Sequence, residues 1–99
     1  MIEERIEEVN KANEEFYQAF ESLDISRMDG IWDQKEWVSC IHPGWSIRLG
    51  WPSVRDSWVV IFNNVFSMSF SVTDSQVQLA RDLAWVICIE NITSRHGDT

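Results

Sequence analysis

The sequence predicts an α+β domain, because helical periodicity governs the chain up to Asn64 and strand periodicity takes over after it. Three observations carry this reading. Ile2, Ile6, Val9, Asn13, Phe16, Tyr17 and Phe20 recur at helical spacing. Phe66, Met68, Phe70 and Val72 alternate with Ser67, Ser69 and Ser71. Leu83 to Ile92 is a nearly continuous apolar run of the kind a central strand presents.

In chain order, residues 2–22 form one long amphipathic helix whose apolar stripe needs a surface to cover. Asp24 or Ser26 caps a short second helix that carries Met28, Ile31 and Trp32 on one side, with Gly30 weakening it. Trp37 to Ile41 and Trp45 to Leu49 flank Pro43-Gly44 and give a short extended hairpin or corner. Pro52 suits a first helical turn, and Val54, Trp58, Ile61, Phe62 and Val65 follow the helical period, so a third helix runs from Pro52 to Asn64. A strand from Phe66 follows, with one buried and one polar face. Its alternation slips at Thr73-Asp74-Ser75 before resuming at Val77 and Leu79, which predicts a β-bulge or a turn. Arg81-Asp82 is a tight connection into the strand from Leu83 to Ile92, and the segments after residue 65 form an antiparallel sheet. With no internal repeat, low-complexity segment or linker, residues 1–99 read as a single domain.

Composition narrows the function classes. Sixteen acidic against eight basic residues give a net charge of −8, which disfavours nucleic acid and anionic membrane as partners. Glu3, Glu4, Glu7, Glu8, Glu14 and Glu15 crowd the first helix and read as its solvated face. The start, Met1-Ile2-Glu3-Glu4-Arg5, lacks the basic region and apolar run of a secretory signal. The longest apolar run, Leu83 to Ile89, is far below the roughly 20 residues of a membrane span, so a soluble cytoplasmic protein is expected. Cys40 and Cys88 sit in apolar strand contexts as two reduced thiols. No phosphate loop, metal-ligand cluster or Ser-His-Asp arrangement is visible, and neither cofactor nor metal is expected.

The stretch richest in chemistry is Cys40-Ile41-His42-Pro43-Gly44-Trp45. Proline biases the preceding His42 toward extended backbone and glycine permits the sharp turn after it, so the imidazole is held beside an apolar wall. There it can transfer protons, contact a ligand or pack as core. Extended backbone also puts Cys40 and His42 on one face and Ile41 on the other.

Around this stretch the chain resembles the SnoaL-like branch of the nuclear-transport-factor-2-like superfamily. The matching pieces are Ala12-Asn13-Glu14-Glu15-Phe16-Tyr17, Met28 with Trp32, Val38 to Trp45, Gly50 before Val54-Arg55-Asp56-Ser57-Trp58, and Leu83-Ala84-Trp85-Val86 with Glu90. The resemblance implies a cone of curved sheet wrapped on the long helix, with an apolar pocket at its open end and homodimers through the sheet. It also implies at least two more strands after the one containing Trp85. His96-Gly97-Asp98-Thr99 then reads as the turn into the next strand, and the final strands are missing from a domain incomplete at its C-terminus.

Trp32, Trp45, Trp58, Trp85 and Glu90 are the candidate ligand contacts, the indoles because they stack on flat apolar molecules. Glu90 is the one acid of an apolar strand. It enters the pocket or, in the plainer reading, lies exposed on the other face. Against the ketosteroid isomerase pattern, the resemblance makes His42 a candidate general base and Tyr17 a candidate oxyanion donor, with imidazole where the isomerases use a carboxylate. No counterpart of their second, protonated acid is evident. The expected function is therefore binding of an apolar or aromatic small molecule. An isomerase- or cyclase-type enzyme and a non-catalytic dimerisation module are the alternatives.

Overall fold

In a computed structural model, which describes residues 1–96, three helices pack on antiparallel strands in the order α1 (Ile2–Ser22), α2 (Ile25–Asp29), β1 (Ser39–Cys40), β2 (Arg48–Leu49), α3 (Trp51–Asn64), β3 (Ser67–Leu79) and β4 (Ala84–Arg95). α1 spans the residues that the sequence period marks. It lies along β3: Ile2 and Ile6 stand beside Val77 and Leu79, and its other end places Phe20 with its ring 4.5 Å from that of Phe70. Arg5 donates to the Ala80 carbonyl at 2.9 Å, and the Glu21 carboxylate accepts the Phe70 N–H at 2.7 Å.

Asp24, rather than Ser26, caps α2. Its backbone is extended and its carboxylate accepts the Ser26 N–H at 2.9 Å, satisfying an amide the helix leaves open. Met28 from α2 and Val54 and Trp58 from α3 form the centre of the core, closed by Ala19, Trp51 and Phe62. Asp29 and Arg55 tie α2 to α3 through a two-pronged ion pair at 2.8 and 3.2 Å.

β1 and β2 pair antiparallel, Cys40 opposite Arg48, over two residues each, shorter than the alternation around Pro43-Gly44 suggests. The turn between them carries Pro43 and then Gly44 at φ 83°, and the Trp45 N–H closes on the His42 carbonyl at 2.9 Å. Glycine is needed there because a side chain at that φ is strained. α3 begins one residue before Pro52, at Trp51.

β3 and β4 pair antiparallel from Ser67↔Arg95 to Leu79↔Ala84, and the register shifts between Thr73 and Gln76. Three steps on β3 there oppose two on β4, from Ile89 to Ile87, so the irregularity is a bulge within one strand, not a turn between two. Asp74 takes the strained position at φ 54°. The extra residue keeps Phe70, Val72, Val77 and Leu79 on the same face, toward α1. Phe66 departs from its expected burial and is exposed, because α1 ends level with Phe70 and leaves Phe66 uncovered.

Candidate functional site

A cavity of about 710 Å³ opens between the second half of α1, the β1–β2 turn, α3 and the inner sheet face. Each element contributes for a local reason. On α1 the stripe residues Phe16 and Phe20 turn inward. The turn projects His42 and Trp45, and α3 supplies Trp58 one turn after Val54. Met68 comes from β3, and Glu90 and Ile92 come from the inner face of β4. Trp32, which follows α2, closes the aromatic wall with its ring centroid 6.3 Å from Trp58.

His42 is 6% exposed and its ring stands edge-on to Trp58 at 4.6 Å and to Trp45 at 5.2 Å. Its Nε2 lies 2.8 Å from Ser57 Oγ. The Ser57 hydroxyl donates its single proton to the Val54 carbonyl at 2.6 Å, so Oγ is left to accept and Nε2 carries the imidazole proton. Nδ1 is then the unprotonated nitrogen, and Cys40 Sγ lies beside the ring, 3.8 Å from Nδ1 and 3.6 Å from Nε2, on the face that the extended backbone predicts for both side chains. Burial, followed by the charge of Arg48, holds the His42 pKa below its ordinary 6.5, and burial pushes the Cys40 thiol up. The pair is a neutral imidazole beside a protonated thiol. Both cysteines are free thiols.

Tyr17 departs from the expected arrangement. Its hydroxyl donates to Glu90 Oε2 and has Cys88 Sγ at 3.7 Å, and it lines a separate polar pocket of about 320 Å³ along α1. Burial, reinforced by the carboxylate of Glu90, pushes its pKa above the ordinary phenol range. Tyr17 and His42 do not meet. Phe16 packs on Tyr17 with ring centroids 5.0 Å apart and on Trp58 at 5.9 Å, the indole against which His42 stands. Adjacent helical residues point about 100° apart, so Phe16 faces α3 while Tyr17 faces the sheet, 5.1 Å from Phe70. A phenol whose proton is already given to a carboxylate is not poised to receive an oxyanion.

The strand register decides the two β4 candidates. Ala84, Val86, Cys88, Glu90 and Ile92 share the inner face, so Glu90 reaches the cavity instead of taking its plainer outward placement. Trp85 has the opposite parity. It is 45% exposed on the outer face and does not reach the cavity. Trp32, Trp45, Trp58, Glu90 and His42 are thus brought together, and Trp85 is not. Ser57 escaped the sequence reading, although a signal for it exists: it is a serine on the Val54, Trp58, Ile61 stripe and is fully buried.

Comparison with known proteins agrees with this architecture. A crystal structure from Streptomyces avermitilis, described as a candidate dehydratase of the NTF2-like family, superimposes with a TM-score of 0.85 at 31% identity, covering 95% of this chain and 75% of that one. A candidate calcium/calmodulin-dependent protein kinase type II association domain from Thiobacillus denitrificans gives 0.78 at 27% identity, covering 89% of this chain and 68% of that one. The F-box protein SKIP8 of Arabidopsis thaliana is 28% identical over 74 residues, 75% of this chain, which spans about a third of that relative's length (32%). The family model of the SnoaL-like domain matches residues 9–99, from the middle of α1 through β4, and the chain belongs to the SnoaL-like domain family.

Proposed function

We propose that this domain binds an apolar aromatic small molecule in the cavity bordered by His42, Trp45, Trp58 and Glu90. The observation that carries the reading is the cavity itself: about 710 Å³, within the range of small-molecule sites, walled by indole and phenyl rings and edged by a few polar groups. Aromatic walls offer flat faces for stacking, and His42, held by Ser57, gives a fixed polar contact. Titration with the neutral dye Nile red tests it. The expected result is saturable dye fluorescence with transfer from tryptophan, lost in Met68→Trp, which fills the cavity from β3, and kept in Trp85→Ala on the outer face. Equal binding by both variants removes the reading.

The alternative of catalysis by His42 and Tyr17 would need the Tyr17 hydroxyl to give up its hydrogen bond to Glu90, so binding is the preferred reading. Association is favoured as a second property by a specific observation. Trp85, Ile87 and Ile89 are exposed on the outer face of β4, and Leu83 is exposed just before the strand, a row of large apolar side chains that a partner copy would cover. Sedimentation at micromolar concentration is expected to give a species heavier than 11.6 kDa, and a monomer alone would refute self-association.

A further inference from the structure

We infer that the cavity selects aromatic ligands carrying a protonated amine, with the ammonium group received by the free carboxylate oxygen of Glu90. The inference rests on the cavity being a ligand site and adds the charge and polarity of what enters it.

Charge is the first argument. Among the described residues, the cavity wall contains no lysine or arginine, and Glu90 is its one carboxylate. Glu90 is anchored for the purpose: Oε2 accepts the Tyr17 hydroxyl, which fixes the side chain on the inner face, while Oε1 accepts no hydrogen bond from the described residues. The surrounding chain carries a net charge of −8, which favours approach of a cation over an anion.

Hydrogen-bond polarity is the second argument. The His42 Nε2 proton goes to Ser57, the Tyr17 proton goes to Glu90, and the Asn64 amide donates to the Val60 carbonyl at 2.6 Å. The indole N–H groups of Trp32 and Trp58 are buried and have no acceptor among the described residues. Of these groups, the one left to accept from a ligand is the second carboxylate oxygen of Glu90. Ser94, the Trp45 indole and the His96 imidazole, whose Nδ1 lies 3.1 Å from the Asn64 carbonyl, are the other polar groups of the wall. A carboxylate or enolate ligand would meet Glu90 with like charge, whereas an ammonium meets a fixed anion in a cavity with aromatic faces that attract cations.

Calorimetric titration with three naphthalene probes tests this: 2-naphthylmethylamine, 2-naphthoate and 2-naphthylmethanol. The amine is expected to bind about tenfold or more tighter than the carboxylate, the factor that about 1.4 kcal/mol represents, with the alcohol between them. Glu90→Gln keeps an acceptor for Tyr17 but removes the charge, and is expected to bring amine and alcohol to equal affinity while the melting temperature stays close to that of the parent. Binding of all three probes without preference for the amine, or a preference that persists in Glu90→Gln, overturns the charge assignment and leaves the cavity as a ligand site. No binding of any probe overturns both.

Discussion

His42 shows how a single buried contact defines a residue's chemistry. The Ser57 hydroxyl is fixed as a donor to Val54 and therefore as an acceptor for Nε2, so the imidazole is held neutral and in one tautomer. Its pKa is depressed by burial, so the unfolded chain binds the proton more readily than the folded one. The contribution of neutral His42 to stability is then complete above the unfolded value of about 6.5 and is lost as pH falls below it. Denaturation followed between pH 7 and 5 is expected to show this decline, and His42→Leu is expected to flatten it. A decline of the same size in the variant would assign it to other groups. Ser57→Ala leaves a buried N–H without a partner and is expected to cost about 1–3 kcal/mol, measured in urea. The hexapeptide around His42 was legible because Pro43 and Gly44 dictate a turn wherever they occur. Its partner was not, because nothing in a one-dimensional pattern brings position 57 to position 42.

At the level of elements, the periods of α1 and α3, and of β3 as far as its slip at Thr73, gave away their extent, since each has one face against the core and one in water. β4 did not yield so easily. An apolar run has no alternation from which to read a face, so Glu90 and Trp85 had no assigned side until the register with β3 fixed the parity. The bulge has a similar lesson. It preserves the inward phase of Val77 and Leu79 at the expense of Asp74, held at a positive φ that aspartate tolerates better than most residues. Asp74→Gly is expected to leave stability unchanged or slightly raised. Asp74→Val, branched at Cβ, is expected to lower it by about 1–2 kcal/mol in chemical denaturation. Equal effects of the two would mean that the bulge relaxes without the left-handed residue.

For the whole molecule, the two sheet faces behave oppositely. One is covered by α1 and the cavity, and the other presents Trp85, Ile87 and Ile89 to water. If the exposed row drives self-association, Ile87→Lys at its centre is expected to shift the sedimentation profile toward monomer without loss of Nile red binding, because Ile87 points away from the cavity. A profile unchanged by this substitution would place the interface elsewhere. Tryptophan placement has a consequence of an optical kind. Trp32 and Trp51 stand 6.1 Å apart at an interplanar angle of 30°, and Trp32 and Trp58 stand 6.3 Å apart at 55°. Transition dipoles so close and mutually rotated couple, and the chain should show an exciton couplet in its circular dichroism. Because Trp32 lies beyond α2 while Trp51 and Trp58 are carried by α3, the couplet reports the docking of those helices on one another and not the helicity of either, so loss of packing with secondary structure retained would be visible as a vanished couplet in an otherwise unaltered helical spectrum.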